Sequence, residues 1–231
     1  MNLPTSPLQR LLAITASVLA CATPAQALVA PPLINVTSYS GTDGGPVGYY
    51  GYDDNSYSGQ RSNGLLSGGE GDLTNDVKNV MVGGGYWNWS PYVMWDGASP
   101  VLTFDLGARH DVVSIRAYFN FYPGAAVYIP PEAQIRFSND GVSFGAAQQR
   151  LFDAGERNPG GNDSTPSYEL LTSAGQGRYV ELRLTSPGRW IALSEVEFSG
   201  MPSSVPEPGS WALMAAGVAA LGARLRRRPA A

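Results

Sequence analysis

The chain has 231 residues, of which 15 are Lys or Arg, 19 are Asp or Glu and one is His, so its formal net charge is −4. Setting aside Arg10, four C-terminal arginines and Glu207 leaves 10 basic and 18 acidic residues in the central part, a net charge of −8. Such a surface repels phosphate backbones, which argues against nucleic-acid binding. Cys21 is the only cysteine, so the central part has no residues for a disulfide, a thiolate metal site or a cysteine nucleophile.

The first 27 residues have the organisation of a secretory signal peptide. Arg10 precedes an uncharged, largely apolar run at 11–22, and Ala25-Gln26-Ala27 supplies the small-x-small pattern after which signal peptidase cuts. The sequence therefore predicts export, with a signal peptide at residues 1–27 and a mature chain that starts at Leu28.

A second interpretation of the same region makes Val18-Leu19-Ala20-Cys21 a lipobox, in which Cys21 would be acylated and become the mature N-terminus. A lipobox usually has leucine three residues before the cysteine and a small residue two before it. Here those positions hold Val18 and Leu19, so cleavage after Ala27 is favoured.

Residues 33–85 are rich in Gly, Ser, Asn, Asp and Tyr, which predicts ordered loops with short strands that cover a sheet edge. From Val101 onward, short segments alternate apolar and polar residues, the period of a half-buried β-strand. Strands are predicted at 101–106 (ended by Gly107), 112–121, 135–137, 142–144 after the turn Asn139-Asp140-Gly141, 179–184, and from Trp190 with a bulge near Ser194-Glu195. No segment of 28–204 has a sustained helical period, so the predicted fold class is an all-β antiparallel β-sandwich.

Five of these segments occur in the order and spacing of a known family: Phe104–Gly107, Val112–Ile115, Ser138–Phe144, Arg178–Leu184 and Ala192–Phe198. Over roughly residues 87–198 the chain resembles the discoidin, or coagulation-factor C-type, domain. The resemblance implies a galactose-binding-like jelly roll for a single domain at 28–204. The long Gly-rich opening and the missing cysteine pair depart from many members of that family.

The same resemblance implies a calcium site. Members of the superfamily commonly bind calcium through a loop near the start of the domain and a glutamate near its final strand, which here makes Asp72, Asp76 and Glu195 the candidate ligands. Hard oxygen ligands suit calcium, and an acidic exported domain without disulfides would gain stability from it. The loop is not an EF-hand, because Val77 stands where the turn glycine is required. The alternative is that these are solvated loop carboxylates.

Aromatic residues are concentrated at 86–95 and 118–128. Sugars present faces of C–H groups that pack on aromatic rings, so a loop-borne ring beside polar side chains could form a shallow glycan site. Period-2 placement assigns most of these rings to the core, and the family usually buries a tryptophan near Trp87 or Trp89. Tyr92, Trp95 and Tyr122 remain as candidate ligand-binding residues.

Catalytic motifs are weak. Gly141-Val142-Ser143-Phe144-Gly145 matches the G-x-S-x-G nucleophile elbow, but the elbow needs a helix after the serine and a histidine downstream. The only histidine, His110, lies upstream, and one histidine without cysteine is too few for catalytic zinc. We therefore expect a non-enzymatic domain with no cofactor other than structural calcium.

The C-terminal segment has three parts in order: a Pro-bounded motif, an uncharged apolar stretch at 211–223 and an arginine cluster. The motif and cluster residues are Val205, Pro206, Glu207, Pro208, Arg224, Arg226, Arg227 and Arg228. This order resembles the PEP-CTERM sorting signal of Gram-negative bacteria, which an exosortase recognises and processes near the Pro-Glu-Pro. Thirteen helical residues span only about 20 Å of a bilayer core of about 30 Å, so we expect a transient membrane span with arginines at the inner leaflet.

Taken together, the sequence predicts a signal peptide at 1–27, a discoidin-like sandwich at 28–204 and a sorting signal at 205–231. The expected destination is the cell surface or the extracellular matrix, including a biofilm matrix, and the expected work is binding of glycans or exopolysaccharide. Two alternatives stay open: a structural or adhesive surface protein that binds protein, and a carbohydrate-active enzyme.

Overall fold

The computed structural model describes residues 30–45, 52–78 and 91–203, together with residues 216 and 218. The chain divides into two compact units, 1–30 and 31–231, and everything below concerns the second. In the part of the chain that is described, no helix is long and apolar enough to cross a membrane. The predicted signal peptide lies outside the described residues, as does the sorting signal apart from residues 216 and 218.

The described residues form eleven strands, and every pairing between them is antiparallel. The strands are β1 (Leu33–Ile34), β2 (Ser38–Thr42), β3 (Gln60–Ser62), β4 (Leu65–Gly69), β5 (Val93–Asp96), β6 (Val101–Asn120), β7 (Glu132–Ser138), β8 (Gln148–Leu151), β9 (Ser167–Glu169), β10 (Gly175–Leu184) and β11 (Trp190–Pro202).

The long strand β6 belongs to both layers of the sandwich. Its first part, residues 101–105, pairs with β2 and β10, and its later part, residues 114–120, pairs with β11 and β9. The layers meet in the core, where the rings of Phe104 on β6 and Phe198 on β11 lie 5.1 Å apart, centroid to centroid. The predicted all-β antiparallel fold class is confirmed.

Gly107 does not end its strand as predicted. β6 continues through it, and the partner register shifts so that Gly177 faces His110 while Tyr179 faces Asp105, which makes residues 106–109 a bulge. Gly107 has φ +74°, a conformation that strains any residue with a Cβ, and its N–H donates to Asp105 Oδ1 at 2.8 Å. Glycine therefore bends the strand without ending it.

Alternation along the strands correctly predicts the core faces. Leu102, Phe104 and Leu106 of β6 are buried, and so are the predicted inward residues of β10, Val180, Leu182 and Leu184. The predicted bulge near Ser194-Glu195 is also confirmed, because the pairing of β11 with β6 shifts between Leu193 and Glu195.

The turn at residues 139–143 forms as predicted, but the strand expected directly after it does not. Asp140 Oδ1 accepts hydrogen bonds from the N–H groups of Val142 (2.9 Å) and Ser143 (2.8 Å), and Gly141 has φ +74°. These donors stabilise the carboxylate and lower the pKa of Asp140. The Asx-type turn occupies residues 142–143, and pairing with β7 resumes only at Gln148.

Helix is scarce in the described residues, as predicted. α1 (Ala154–Arg157) is a single turn with a capping box, in which Asp153 accepts from the N–H of Glu156 and Glu156 accepts from the N–H of Asp153. Two 3-10 turns lie at Asp72–Thr74 and Pro123–Ala125.

The two ends of the sandwich differ in what they carry. β11 runs from Trp190, paired with Asp96, to Pro202, paired with His110. We call the end formed by residues 107–111, 175–177 and 200–203 the proximal end, and the end formed by residues 96–101, 120–130 and 184–190 the distal end. The N–H of Gly200 donates to the carbonyl of Pro32 at 3.0 Å, so both termini of the described domain lie at the proximal end.

We expect Phe104→Ala to lower the free energy of unfolding by about 3–5 kcal/mol, because the fully buried ring contacts Tyr39 and Phe198 across the layers. Urea unfolding of residues 28–203 is the measurement. Val142→Ala is the control, since Val142 is 83% exposed and its truncation is expected to change stability by less than about 0.5 kcal/mol. Equal effects of the two substitutions would contradict this description of the core.

Candidate functional site

The distal end holds a small aromatic cluster, separate from the main core. It consists of Tyr52, Tyr92, Met94, Val127, Trp190 and Ala192, with Tyr122 and Ala125 packed against it. The rings of Tyr52 and Trp190 meet edge to face, with centroids 4.7 Å apart. We call this set the distal aromatic cluster.

Tyr92 and Trp95 were expected to be ligand-binding residues, and the structure corrects this. Each is only 2% exposed, and the indole N–H of Trp95 donates to the carbonyl of Thr42 at 3.1 Å. β5 is buried on both faces, because Val93 and Trp95 contact the main core while Met94 contacts the distal aromatic cluster. Tyr92, which directly precedes β5, belongs to the same cluster. Neither ring presents a face to a sugar.

Tyr122 is the one of the three candidate rings that the structure leaves half-buried, at the outer side of the cluster. Its backbone pairs with Val127 in a tight connection through the Pro123–Ala125 turn. Trp190 is 9% exposed beside it. An accessible aromatic surface at the distal end is therefore provided by Tyr122, with Trp190 below it.

Polar groups accompany these rings. Asn120 is fully buried and donates from Nδ2 to Asp163 Oδ1 at 2.7 Å, and Asp163 itself is half-buried. Among the described residues, Asn120 Oδ1 and Ser164 Oγ are buried without a hydrogen-bond partner. Orphaned polar atoms are uncommon in native proteins and mark places where a water or ligand group is expected.

Two segments near this cluster in sequence, 46–51 and 79–90, lie outside the described residues. Gly45, whose N–H donates to the carbonyl of Met94 at 3.2 Å, precedes one of them, and Tyr52 follows it. Pro91 and Tyr92 follow the other. In sequence, these segments contain Tyr49, Tyr50, Tyr86, Trp87 and Trp89.

A second feature is a groove of about 310 Å³ between β1, β11 and the Asp72–Thr74 turn, which we call the carboxylate groove. Thr74, Asp76, Glu195 and Glu197 contribute its polar groups. Glu195 is only 5% exposed, and its Oε2 accepts a hydrogen bond from the N–H of Asp76 at 2.9 Å. Burial raises the pKa of Glu195 to about 7, and the charge of Glu197 adds to the effect.

Lys78 neutralises the other carboxylates of the groove. Its ammonium contacts Glu197 and lies 2.9 Å from Asp76 Oδ1, and Tyr118 donates its hydroxyl proton to the second oxygen of Glu197. Hydrogen bonds to these two carboxylates raise the pKa of Lys78, while burial and the contact with Glu197 raise that of Tyr118 to about 12. Glu195 is thus the groove carboxylate that lacks a direct ion pair with Lys78.

Asp72 belongs to a different set of groups. Its Oδ1 accepts from Ser56 Oγ at 2.7 Å and from Asn75 Nδ2 at 3.1 Å, and its backbone N–H donates to Asp54 Oδ1 at 3.0 Å. Asp54 is fully buried, and its Oδ2 has no hydrogen-bond partner in the described residues. Burial raises the pKa of both Asp54 and Asp72.

The three predicted calcium ligands do not converge. Asp76 directs its carboxylate to Lys78, Asp72 directs its own to Ser56 and Asn75, and Glu195 alone directs a buried carboxylate into the groove. In the described ranges, no three side chains of the His, Cys, Asp or Glu type are grouped to hold a metal ion. The predicted calcium site, with Asp72 or Asp76 and Glu195 as ligands, therefore stays a prediction. Glu195 fits a calcium ligand, since a buried carboxylate is stabilised by a hard cation.

The G-x-S-x-G segment forms a turn rather than a nucleophile elbow. Ser143 lies in the turn held by Asp140, and the next element is strand β8 rather than a helix. His110 lies in β6, where its Nδ1 is 2.8 Å from the carbonyl oxygen of Ala108.

Comparison with known proteins adds two findings. Residues 204–228 match the PEP-CTERM protein-sorting motif, so the predicted sorting signal is confirmed and implies export to the cell surface through an exosortase. No curated protein matches the chain.

The solved structures to which the chain is similar include a chitobiase domain and two carbohydrate-binding modules. The C-terminal domain of a Bacteroides fragilis chitobiase is 15% identical with a TM-score of 0.44, covering 75% of this chain and 100% of its own. A Streptococcus pneumoniae fucose-binding module is 13% identical with a TM-score of 0.41, covering 74% and 96%. A family 32 carbohydrate-binding module of Clostridium perfringens, solved with galactose, is 15% identical with a TM-score of 0.38, covering 72% and 96%.

The raised pKa of Glu195 predicts a pH-dependent stability. Between an unfolded pKa of 4.5 and a folded pKa of about 7, the folded state binds more protons than the unfolded one, so stability falls as pH rises through this range. In metal-free buffer we expect Glu195→Gln to flatten this decline and to be more stable than wild type at pH 8 by at most about 3 kcal/mol. Urea unfolding at pH 5 and pH 8 measures both effects.

Glu70→Gln is the matched control, because Glu70 is exposed and its substitution is not expected to change the pH profile. If stability rises from pH 5 to pH 8 by the same amount in wild type, Glu195→Gln and Glu70→Gln, then the pH dependence does not come from Glu195.

Proposed function

We propose that this protein is exported, sorted by an exosortase to the cell surface or extracellular matrix, and binds glycans or exopolysaccharide through its distal end without catalysing a reaction. The observation that carries this proposal is the separation of the two ends. The termini leave at the proximal end, where the sorting motif follows Ser203, and the aromatic and polar groups lie at the distal end. A tethered domain would hold the distal end away from the membrane.

The distal groups suit a sugar. A half-buried tyrosine ring packs on the C–H face of a sugar ring, and a neighbouring carboxylate accepts hydrogen bonds from its hydroxyl groups. Tyr122 supplies the ring, and Asp163, oriented by the buried Asn120, supplies the carboxylate. The two buried orphaned atoms, Asn120 Oδ1 and Ser164 Oγ, support a role for ordered water behind the ligand.

We favour binding over catalysis because the side chains that could act as nucleophile, base or acid are not close to one another. Ser143 and His110 are hydrogen-bonded within separate local structures, and Asp163 is engaged by an amide rather than by a second acid. The alternative is a structural or adhesive protein that recognises another protein through the same distal surface. The identity of the ligand, glycan or protein, distinguishes the two functions.

We expect residues 28–203 to bind at least one glycan class on an array, and Tyr122→Ala to weaken that binding about tenfold, which corresponds to about 1.4 kcal/mol for loss of a ring contact. Titration calorimetry with the best glycan is the measurement. Tyr179→Ala is the control, since Tyr179 is also half-buried and lies nearer the proximal end, where it pairs with Ser138. No retained glycan, together with tight binding to a surface protein, would support the adhesive alternative instead.

We further propose that calcium binds in the carboxylate groove with Glu195 as its acidic ligand. The ion would supply positive charge to a carboxylate that is buried without an ion pair to Lys78, and it would join the final strand to the Asp72–Thr74 turn. Binding only to the folded state, it would stabilise the domain by mass action.

At a hundredfold excess over its dissociation constant, calcium is expected to add about 2.7 kcal/mol and to raise the melting temperature by about 5–10 °C. Glu195→Gln should lose most of this increment. Asp76→Asn should keep it, because the Asp76 carboxylate is 82% exposed and turned to Lys78. Identical melting of the wild-type domain in calcium and in chelator, with no metal found by elemental analysis, would refute the calcium proposal.

A further inference from the structure

The folded sheet ends immediately before the sorting motif. β11 ends at Pro202 and Ser203 is still hydrogen-bonded to β6, whereas the matched motif begins at residue 204. Pro206 follows Ser203 by three residues, which span at most about 10 Å even when extended. The segment that an exosortase recognises is therefore joined to the sheet without a spacer.

Ser203 is held by polar contacts to two strands. Its N–H donates to the carbonyl of Arg109 at 3.0 Å, and its hydroxyl donates to Asp111 Oδ1 at 3.0 Å and accepts from Gln176 Nε2 at 3.2 Å. Gln176 also donates to Asp111 and accepts from Arg109. We call Met201–Ser203 with these three partners the C-terminal clasp.

The clasp lies beyond the last buried side chain of β11. Phe198 is 1% exposed and belongs to the main core, whereas Met201 is 56% exposed and Pro202 is also exposed. Opening residues 201–203 would displace side chains that lie outside the main core, and the side-chain hydrogen bonds of Ser203 that break are exposed. Such polar, superficial segments occupy the low end of the range of local stabilities in a folded protein.

We propose that exosortase processes this protein only while the C-terminal clasp is open, so that pairing of the final strand regulates access to the sorting signal. A protease must accommodate backbone on both sides of the bond that it breaks. In the closed clasp, the backbone just before the motif is paired with β6. This inference rests on the sorting part of the proposed function, and the experiment separates the failure of each.

The test locks the clasp with a disulfide. His110 and Pro202 face each other as a non-hydrogen-bonded pair, next to the pair joined by the bond from Ser203 N–H to Arg109. Cα atoms of such pairs are about 4.5 Å apart, within the range that a disulfide spans. The full-length double variant His110→Cys/Pro202→Cys is expressed in a host with an exosortase, and processing is followed by pulse-chase with mass spectrometry of the C-terminus.

We expect the oxidised double variant to be processed at least about tenfold more slowly than wild type, because cleavage of a locally opened segment follows the population of the open form. Reduction with dithiothreitol should restore the wild-type rate, whereas a variant that failed to fold would be processed at the same rate in both states. The single variants His110→Cys and Pro202→Cys serve as controls and should be processed normally. Equal rates for the oxidised and reduced double variant would overturn the proposal.

A loosened clasp provides the opposite perturbation. Gln176→Ala/Ser203→Ala removes the side-chain contacts and should speed processing about threefold or more, since less is lost on opening. An unchanged rate would count against the clasp. Replacing residues 205–208 with alanine tests the sorting part separately: if the wild type is processed no faster than this variant, sorting by the motif is wrong and the clasp proposal fails with it.

Discussion

The 20-residue strand β6 connects the two layers of the sandwich, and both layers take their register from it. Its first part has β2 and β10 as neighbours, and its later part has β11 and β9. At the change between the two, Gly107 supplies a backbone conformation that other residues adopt only with strain, and Asp105 is held by two bonds of 2.8 Å from the guanidinium of Arg178. That contact lowers the pKa of Asp105 and ties β6 to β10 where the strand bends.

The second bulge, in β11, explains why a carboxylate is buried so close to the surface. Before it, Ile191 and Leu193 contact the main core; after it, Val196 and Phe198 do, so the inward phase shifts by one residue. Glu195 then lies on the outer side of β11, where the Asp72–Thr74 turn covers it and Asp76 donates its N–H. Burying this carboxylate lowers the stability of the fold, and a cation bound beside it would offset that loss. The calcium proposal therefore depends on the geometry of this bulge.

Separation of the two ends relates the fold to its use. An antiparallel sandwich in which both chain termini leave at one end exposes loops at the other, and here those loops adjoin the distal aromatic cluster. The proximal end closes with polar contacts around Ser203. The distal aromatic cluster, where we propose that glycans bind, and the start of the sorting motif therefore lie at opposite ends, and β11 runs between these ends.

The sequence by itself determined the features that depend on local order or on period. The sorting signal was identifiable because its three parts are contiguous, and the inward faces of β6 and β10 because their side chains alternate with period 2. The bulge at Ser194-Glu195 was visible as a break in that phase, and the turn at Asp140 as an Asp-Gly pair.

Tertiary structure alone decided the features that depend on what covers a residue. Trp95 belongs to a strand buried on both faces and Tyr92 directly precedes it, which no alternation of residues there reveals. Tyr122, in the tight connection after β6, is only half-buried. Asp72 and Glu195 are far apart in sequence, and whether their carboxylates converge depends on side-chain direction, which is set by Ser56 and Asn75 on one side and by the groove on the other. The burial of a side chain and the convergence of several side chains on one site arise from contacts between segments that are distant in sequence. A sequence pattern indicates only the local structure that neighbouring residues favour.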